Sequence, residues 1–350
     1  MSRFLSEQFQ SLEAYVPGEQ PRDMQYIKLN TNESPYPPAP SVVSAIAQED
    51  VALLRLYSDP TAKALKEKLA ALYQVKPENV FLSNGSDEAL NFAFLAFGRE
   101  GVLFPDITYG FYQVFGDLYQ LPYEKIPLKA DFSIDYRDYC GKDKMVVLAN
   151  PNAPTGMSIP LAQIEEICRT NPDRVVLIDE AYVDFGGETA LPLLGKYENL
   201  LITRTFSKSR CLAGGRLGYA FGSAALIADL EKIKYSTNPY NLDRLTLQLG
   251  EATVDADSYY QEKCAAIMQT RAWTKGELEK LGFAVLPSQT NFLFAKTDKM
   301  DGGELYETLK AKGILVRHFT NPRIDQYNRI TIGTQEEMET FIKCVKEVLL

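Results

Sequence analysis

Short apolar segments alternate with longer helical segments through the middle of the chain, and this alternation is the strongest constraint on its fold. The strand-like segments are apolar at consecutive positions and lie at 79–82, 102–104, 144–149, 175–178, 200–203 and 217–221. Strands of this kind are typical of parallel sheets with both faces covered. The covering helices are expected at 62–73, 86–97 and 161–168. The sequence therefore predicts an α/β fold with a mostly parallel sheet flanked by helices.

The pattern changes after about residue 245. A long helical segment is expected over 245–281, followed by strands at 291–295, 314–319 and 329–332 that alternate with helices at 303–312 and 335–350. The first forty residues are dense in proline, which disfavours helix and inner strand and predicts an extended arm. We therefore predict an arm over 1–40 that joins the small domain or a dimer interface, a large domain over 41–245 and a small α+β domain over 246–350.

The composition excludes several classes of function. The net charge of −9 argues against a nucleic-acid surface, because phosphate binding requires clustered Lys and Arg. The five cysteines show no CxxC spacing, which favours reduced thiols in a cytoplasmic protein over disulfides or zinc. Residues 1–7 lack the apolar core of a signal peptide, and no apolar stretch is long enough to cross a membrane. With His318 as the single histidine, no multi-histidine metal site is expected, and proton transfer must use Lys, Tyr or a carboxylate.

Lys208 is the most informative single residue. It follows an apolar strand and lies in the run Thr-Phe-Ser-Lys-Ser-Arg-Cys-Leu-Ala-Gly-Gly-Arg-Leu-Gly at 205–218. A primary amine there can form a Schiff base with an aldehyde cofactor, although a solvated surface position is the commonest fate of lysine. Asp179 ends a second apolar strand. A carboxylate there would keep a pyridine nitrogen protonated, so the pair predicts pyridoxal 5'-phosphate.

A phosphate site is expected beside this pair. Gly85-Ser86-Asp87 opens a predicted helix, whose free N–H groups and dipole attract an anion. An ordinary helix cap by Ser86 or Asp87 is the alternative. Ser207 and Arg216 fall at the same edge of the sheet and favour the phosphate. Tyr182 is expected to donate to the ring oxygen of the cofactor, with a packing role as its alternative.

These motifs resemble those of the fold-type I pyridoxal-phosphate aminotransferases over nearly the full length. The matching segments are 29–35, 56–60, 83–88, 150–156, 179–182, 205–218, 239–241 and 328–333. Within that family, the arm and Pro239-Tyr240-Asn241 are similar to the branch that acts on histidinol phosphate. The resemblance implies transfer of an amino group between histidinol phosphate and 2-oxoglutarate, giving imidazole-acetol phosphate and glutamate. It also implies a cytoplasmic homodimer with no nucleic-acid or membrane partner.

The resemblance also implies roles for single residues. Lys208 would hold the cofactor and move the proton, Asp179 would pair with the ring nitrogen and Tyr182 with the ring oxygen. The other cofactor contacts would be Gly85, Ser86, Asp87, Tyr109, Asn152, Thr205, Ser207, Arg216 and, from the neighbouring subunit, Tyr57. The substrate contacts would be Tyr15, Asn30, Tyr240, Asn241, Arg317 and Arg329. The family often has asparagine directly before Pro-Thr-Gly, where this chain has Ala153, so either Asn152 or Tyr182 alone must serve the ring oxygen.

Three other functions fit the same motifs. An aromatic amino-acid aminotransferase and a threonine-phosphate decarboxylase share the scaffold and differ in a few arginines and tyrosines around the substrate. The third is a non-catalytic regulator that binds pyridoxal phosphate. Such regulators carry a DNA-binding module, for which the arm is too short.

Overall fold

The structure is a computed structural model that describes residues 5–349, apart from the side chains of residues 48 and 49. Residues 1–4 of the predicted arm and residue 350 lie outside the described residues. The strands are β1 (Ile27–Lys28), β2 (Val80–Asn84), β3 (Val102–Pro105), β4 (Tyr123–Ile126), β5 (Met145–Ala149), β6 (Val176–Asp179), β7 (Leu200–Thr205), β8 (Leu217–Gly222), β9 (Phe283–Val285), β10 (Phe292–Thr297), β11 (Ile314–Leu315), β12 (Arg317–His318) and β13 (Asn328–Thr331).

Helices connect and cover these strands. They are α1 (Pro40–Val43), α2 (Gln48–Ala52), α3 (Lys63–Tyr73), α4 (Gly85–Phe97), α5 (Phe111–Tyr119), α6 (Leu161–Thr170), α7 (Ala224–Thr237), α8 (Arg244–Asp255), α9 (Asp257–Lys280), α10 (Gly302–Ala311) and α11 (Gln335–Leu349). Within residues 5–349, none of them combines the length and the apolar character needed to cross a membrane.

The main sheet has seven strands in the order β2-β8-β7-β6-β5-β3-β4. Strand β8 pairs antiparallel with both β2 and β7, and the other pairs are parallel. The predicted mostly parallel sheet is thus confirmed. Ala149 pairs with Asp179, and Asp179 with Thr203, so the carboxyl ends of β5, β6 and β7 lie side by side.

Consecutive apolar residues of each strand pack on opposite faces of this sheet. Val176 and Ile178 join the core under α3, α6 and α8, whereas Leu177 joins the core under α4 and α5. All three are fully buried. Burying one such side chain stabilises the fold by about 1.5–3 kcal/mol. Two covered faces explain why the sequence shows unbroken apolar segments rather than alternation.

A second unit is built from the later strands and part of the arm. Strands β12-β13-β10-β9 form an antiparallel sheet, and β1 pairs in parallel with β11. Leu29, which follows β1, is buried in one core with Leu293 and Phe341. The arm thereby enters the C-terminal part of the fold at β1.

The helical segment expected over 245–281 is two helices rather than one. Helix α8 ends at Asp255, and α9 begins at Asp257. Leu247 and Val254 of α8 pack in a core of the main sheet, whereas Ile267 and Leu278 of α9 pack in the core of the second unit. Because the two halves serve different cores, the chain turns between them. The predicted boundary at 245/246 falls inside α8, and the domain division stays a prediction.

Candidate active site

A cavity of about 490 Å³ lies beyond the carboxyl ends of the central strands, between the main sheet, the arm and the second unit. Most of the residues predicted for the site line it. These are Tyr15, Asn30, Ser86, Asp87, Tyr109, Asp179, Tyr182, Thr205, Ser207, Lys208, Arg216, Arg317 and Arg329. Ligands of parallel sheets bind at this edge, so the structure brings the predicted residues together where a ligand is expected.

Lys208 extends into this cavity from the loop after β7. Its Nζ donates to the carbonyl of Thr31 in the arm at 3.0 Å. Burial, together with the nearby cation of Arg329, lowers the pKa of this amine to about 8. A neutral amine is the nucleophilic form, so the site makes Lys208 more reactive at neutral pH than an ordinary lysine.

Asp179 ends β6 at the floor of the cavity and is 5% exposed. Its carboxylate accepts hydrogen bonds from Tyr112 Oη at 2.8 Å and Thr203 Oγ1 at 3.2 Å. Burial raises the pKa of Asp179 to about 6, and these two donors oppose the rise. The fully buried Tyr112 was not predicted from the sequence, because nothing local distinguishes it from the other tyrosines of the chain.

Tyr182 contacts the arm rather than the main sheet through its hydroxyl. Its Oη accepts a hydrogen bond from Asn32 Nδ2 at 2.9 Å. The ring packs edge-on against Phe292, with ring centroids 5.2 Å apart. Burial raises the pKa of Tyr182, so the phenol stays protonated at neutral pH. Asn32 also lines the cavity, and sequence reasoning missed it.

Helix α4 begins at the cavity without a capping side chain from Asn84, the residue before it. Gly85 has a φ of +70° and donates its N–H to the carbonyl of Arg216 at 2.7 Å. Strand β8 approaches so closely that a Cβ on Gly218 would lie 2.3 Å from the backbone nitrogen of Ser86. The first turn therefore keeps free N–H groups beside the cavity, which fits a phosphate better than the alternative of an ordinary cap.

Arg216 lies next to this helix start with its side chain 46% exposed. Its guanidinium is 3.2 Å from Asp87 Oδ2 and 3.4 Å from Ser207 Oγ. Tyr109 donates to Asp87 Oδ1 at 2.8 Å. Asp87 therefore orients Arg216 and Tyr109, while Arg216, Ser207 and Thr205 present donors that a phosphate can accept from.

Two arginines of the second unit complete the cavity. Arg329 donates to the carbonyl of Asn30 at 2.8 Å, and Arg317 approaches the carbonyl oxygens of Val16 and Pro17 at 3.4 Å each. Within residues 5–349 neither forms a salt bridge, and the Nε of Arg329 is buried without a hydrogen-bond partner. Two cations without carboxylate partners fit an anionic ligand.

Tyr15 covers the cavity from the arm. Its ring packs against Phe111 with centroids 4.3 Å apart and meets Tyr109 edge-on at 6.2 Å. Tyr15, which the sequence analysis predicted as a substrate contact, therefore lies at the cavity with its phenol near both arginines.

Four residues predicted for the site do not line the cavity, and these are Tyr57, Asn152, Tyr240 and Asn241. Gly85 has no side chain and contributes only its backbone. Tyr57 is 77% exposed and stacks on Tyr240, with centroids 4.4 Å apart. Asn241 donates to Glu88 Oε2 at 2.5 Å. Asn152 is 1% exposed, and its amide donates to the carbonyl of Ile107 and to Thr155 Oγ1 at 3.0 Å each. Both amide hydrogens of Asn152 are therefore engaged within the protein, which leaves neither free to donate to a ligand in the cavity.

The lowered pKa of Lys208 gives a measurable pH dependence. In cofactor-free protein we expect acetylation of Lys208 by acetic anhydride to reach half its maximal rate near pH 8, because only the neutral amine reacts. A free lysine side chain would reach this point near pH 10.4. Competitive labelling between pH 6 and 11, read by mass spectrometry with a lysine peptide as internal reference, measures it. Coincident midpoints for Lys208 and the peptide would contradict the prediction.

Comparison with known proteins agrees with this geometry. The family of aminotransferases class I and II matches residues 24–345. Histidinol-phosphate aminotransferase from Brachyspira hyodysenteriae is 48% identical over 352 residues, covering 100% of this chain and 99% of that protein. Histidinol-phosphate aminotransferase from a Marinomonas species is 50% identical over 351 residues, covering 99% of each. The crystal structure of histidinol-phosphate aminotransferase from Sinorhizobium meliloti with pyridoxal-5'-phosphate has a TM-score of 0.89, covers 100% of this chain and 98% of that one, and at 23% identity shows the shared fold.

Proposed function

The chain belongs to the class I and II aminotransferases, and we propose that it is the member that interconverts histidinol phosphate and imidazole-acetol phosphate, with glutamate and 2-oxoglutarate as the second pair. The observation that carries this proposal is the cavity itself. It combines an amine of lowered pKa, a buried carboxylate, a free helix start and two arginines without carboxylate partners among the described residues. These arginines would take the carboxylates of glutamate in one half-reaction and the phosphate ester of histidinol phosphate in the other.

The residues fit pyridoxal phosphate as the cofactor. When bound, it supplies an aldehyde that captures amines and a protonated ring that withdraws electrons from the α-carbon of the substrate. Lys208 would hold the aldehyde, Asp179 the ring nitrogen and Tyr182 the ring oxygen. The remaining contacts would come from Tyr109 at the ring and from Ser86, Thr205, Ser207 and Arg216 at the phosphate, with Asp87 orienting Tyr109 and Arg216.

Lys208 also moves the proton in this proposal. Its Nζ, once released from the cofactor, is the basic atom of lowered pKa at the cavity and takes the proton from the α-carbon of the substrate. The same atom would then deliver this proton to the carbon that is bonded to the transferred nitrogen on the side away from the α-carbon. Arg329 and Arg317 hold the anionic groups of the substrate, so the C–H bond that breaks is kept beside Nζ.

A substrate panel tests the function. Purified protein reconstituted with pyridoxal phosphate should convert histidinol phosphate and 2-oxoglutarate to glutamate, with kcat/KM at least tenfold above that for phenylalanine. The physical reason is that the phosphate monoester of histidinol phosphate is a dianion that can pair with both arginines, whereas the single carboxylate of phenylalanine can pair fully with only one. Equal or higher activity with phenylalanine would favour the aromatic aminotransferase. Release of carbon dioxide from threonine phosphate without glutamate formation would favour the decarboxylase.

We further propose a homodimer in which Tyr57 serves the site of the neighbouring subunit. The support is a group of exposed apolar side chains near Tyr57 in the sequence, together with Tyr240, which stacks on it, because exposed apolar surface marks protein–protein contacts. The group comprises Val43, Val51, Leu53, Leu54, Leu56 and Tyr240. A second copy of this chain is the occupant, because Tyr57 lies outside the cavity of its own chain and a twofold contact exchanges it between subunits.

Mixed dimers test this arrangement. Tyr57→Phe should weaken binding of pyridoxal phosphate about tenfold by removing one hydrogen bond to a charged group. At limiting cofactor, Tyr57→Phe dimers should keep about a tenth of the wild-type activity and Lys208→Ala dimers almost none, whereas subunits refolded together should exceed both. The regained site combines Lys208 of one chain with Tyr57 of the other. A monomeric mass, or no recovery after mixing, would contradict the proposal.

A cytoplasmic location belongs to the same proposal. The five cysteines are free in the structure, and three of them are buried. Unpaired thiols are typical of a reducing compartment.

A further inference from the structure

Asn32 lies where the arm, the second unit and the cavity meet. It is 1% exposed, and its φ of +56° is a left-handed conformation that Asn tolerates better than most residues. Its backbone N–H donates to Thr331 Oγ1 at 3.0 Å, and its carbonyl accepts from Asn291 Nδ2 at 3.0 Å. These contacts fix the backbone of Asn32 on strand β13 and on the residue before β10.

The side-chain amide of Asn32 has one favoured orientation. Thr331 Oγ1 donates to Asn32 Oδ1 at 2.9 Å, which places Nδ2 2.9 Å from Tyr182 Oη. In the reversed orientation, Thr331 Oγ1 would receive two donors, and its own proton would lose its acceptor. The orientation in the structure satisfies both groups, so Nδ2 is the atom that faces Tyr182.

This orientation determines what Tyr182 can do. An amide NH₂ donates hydrogen bonds and cannot accept them, so Tyr182 Oη accepts a hydrogen bond from Asn32, and its own O–H remains available to donate to another partner. Among the described residues, Tyr182 Oη makes no other hydrogen bond, and Tyr182 lines the cavity. We propose that Asn32 is a positioning residue that makes Tyr182 an obligatory hydrogen-bond donor to an anionic oxygen of the ligand in the cavity.

The neighbours of Asn32 in the arm also contact side chains of the cavity. The carbonyl of Asn30 accepts from Arg329, and the carbonyl of Thr31 accepts from Lys208. Residues 30–32 therefore contact three side chains of the cavity, which are Arg329, Lys208 and Tyr182. Asn32 is the one of the three that acts through its side chain, so a substitution can change its contact without removing the backbone contacts beside it.

The inference rests on the proposed function for the identity of the ligand oxygen, the ring oxygen of pyridoxal phosphate. Asn32→Asp is the sharpest variant, because Asp retains the acceptor for Thr331 and tolerates the left-handed backbone. It replaces the donor to Tyr182 by an acceptor, so the hydroxyl of Tyr182 donates its hydrogen bond to residue 32. Asn291→Asp is the matched control, because it makes the same chemical change at a buried neighbour that contacts Asn32 and does not contact Tyr182.

The readout is the pH midpoint of the visible absorbance of the bound cofactor, with the melting temperature of each variant recorded beside it. We expect Asn32→Asp to raise the midpoint by about one pH unit. The anionic ring oxygen would lose a hydrogen-bond donor, and the protonated form of the bound cofactor would therefore persist to higher pH. In a Tyr182→Phe background, most of this shift should vanish, since the hydroxyl that mediates it is gone. Asn291→Asp should leave the midpoint within about 0.3 units of the wild type.

Asn32→Gly is a second variant that keeps the backbone conformation and adds no charge. It should shift the midpoint in the same direction by a smaller amount, because Tyr182 is then free to rotate. An equal shift from Asn32→Asp with and without the Tyr182 hydroxyl, or the same shift from Asn291→Asp, would overturn the proposal. Wild-type protein that binds no cofactor would overturn this inference together with the proposed function, whereas bound cofactor with no shift in either Asn32 variant overturns the inference alone.

Discussion

Lys208→Ala should lose multiple-turnover activity by a factor of at least about 10⁴, the upper range for removal of one general acid–base group. The variant lacks both the amine that holds the cofactor and the atom that moves the proton. Cofactor should still bind through the helix start, Arg216 and Asp179, and it should wash out on gel filtration because no covalent bond retains it. Activity with histidinol phosphate, together with borohydride reduction and mass spectrometry, measures both effects.

Two controls separate chemistry from folding in this experiment. Lys125→Ala removes an exposed lysine of β4, at the far edge of the main sheet, and should retain full activity. Added methylamine should restore a fraction of the activity of Lys208→Ala, because a free base can replace the missing one in an intact cavity. Multiple turnover in Lys208→Ala without added amine would refute the role of Lys208.

Breaking the buried ion pair between Glu180 and Arg204 should destabilise the fold by about 3–5 kcal/mol. The side chains are 0% and 5% exposed, and Arg204 donates to Glu180 Oε2 through Nε at 2.9 Å and Nη2 at 2.8 Å. Glu180→Ala leaves the guanidinium buried with its main partner gone. Because Glu180 follows Asp179 and Arg204 precedes Thr205, the same change should also weaken cofactor binding.

Urea unfolding of cofactor-free protein measures this loss of stability. The double variant Glu180→Leu with Arg204→Met should recover much of it, because it removes both charges and retains apolar volume. The exposed pair of Lys63 and Glu67, 75% and 54% exposed, is the surface control, and its removal should leave the unfolding midpoint unchanged. A Glu180→Ala variant as stable as this control would contradict the prediction.

The parts of the fold predicted from sequence are those that local pattern determines. Strands buried on both faces give unbroken apolar segments, so the main sheet could be predicted and is confirmed. Residues at the ends of those strands, such as Lys208 and Asp179, could be placed at one edge because parallel strands share a direction. The family predicted from these motifs is confirmed as well.

What could not be predicted depends on contacts between distant segments. Tyr112 and Asn32 contact the two key side chains of the cavity across 67 and 150 positions, and nothing in their own surroundings marks them. Asn152 lies in the segment at 150–156 that resembles the family, yet its side-chain amide donates to the carbonyl of Ile107 and to Thr155 Oγ1. The break between α8 and α9 likewise follows from two separate cores rather than from a helix-breaking residue.

The pairing of β1 with β11, and of Asn32 with Thr331, has a consequence for biosynthesis. The contact between Asn32 and Thr331 spans 299 positions. The ribosome synthesises Asn32 well before Thr331, so Asn32 lacks this partner while the intervening residues are made. The helix start at Gly85 and the lysine loop can form earlier from residues 80–222. The contacts of residues 30 and 32 with Arg329 and Thr331 can therefore form only after β13 has been synthesised. Completion of this side of the cavity is a late step in folding.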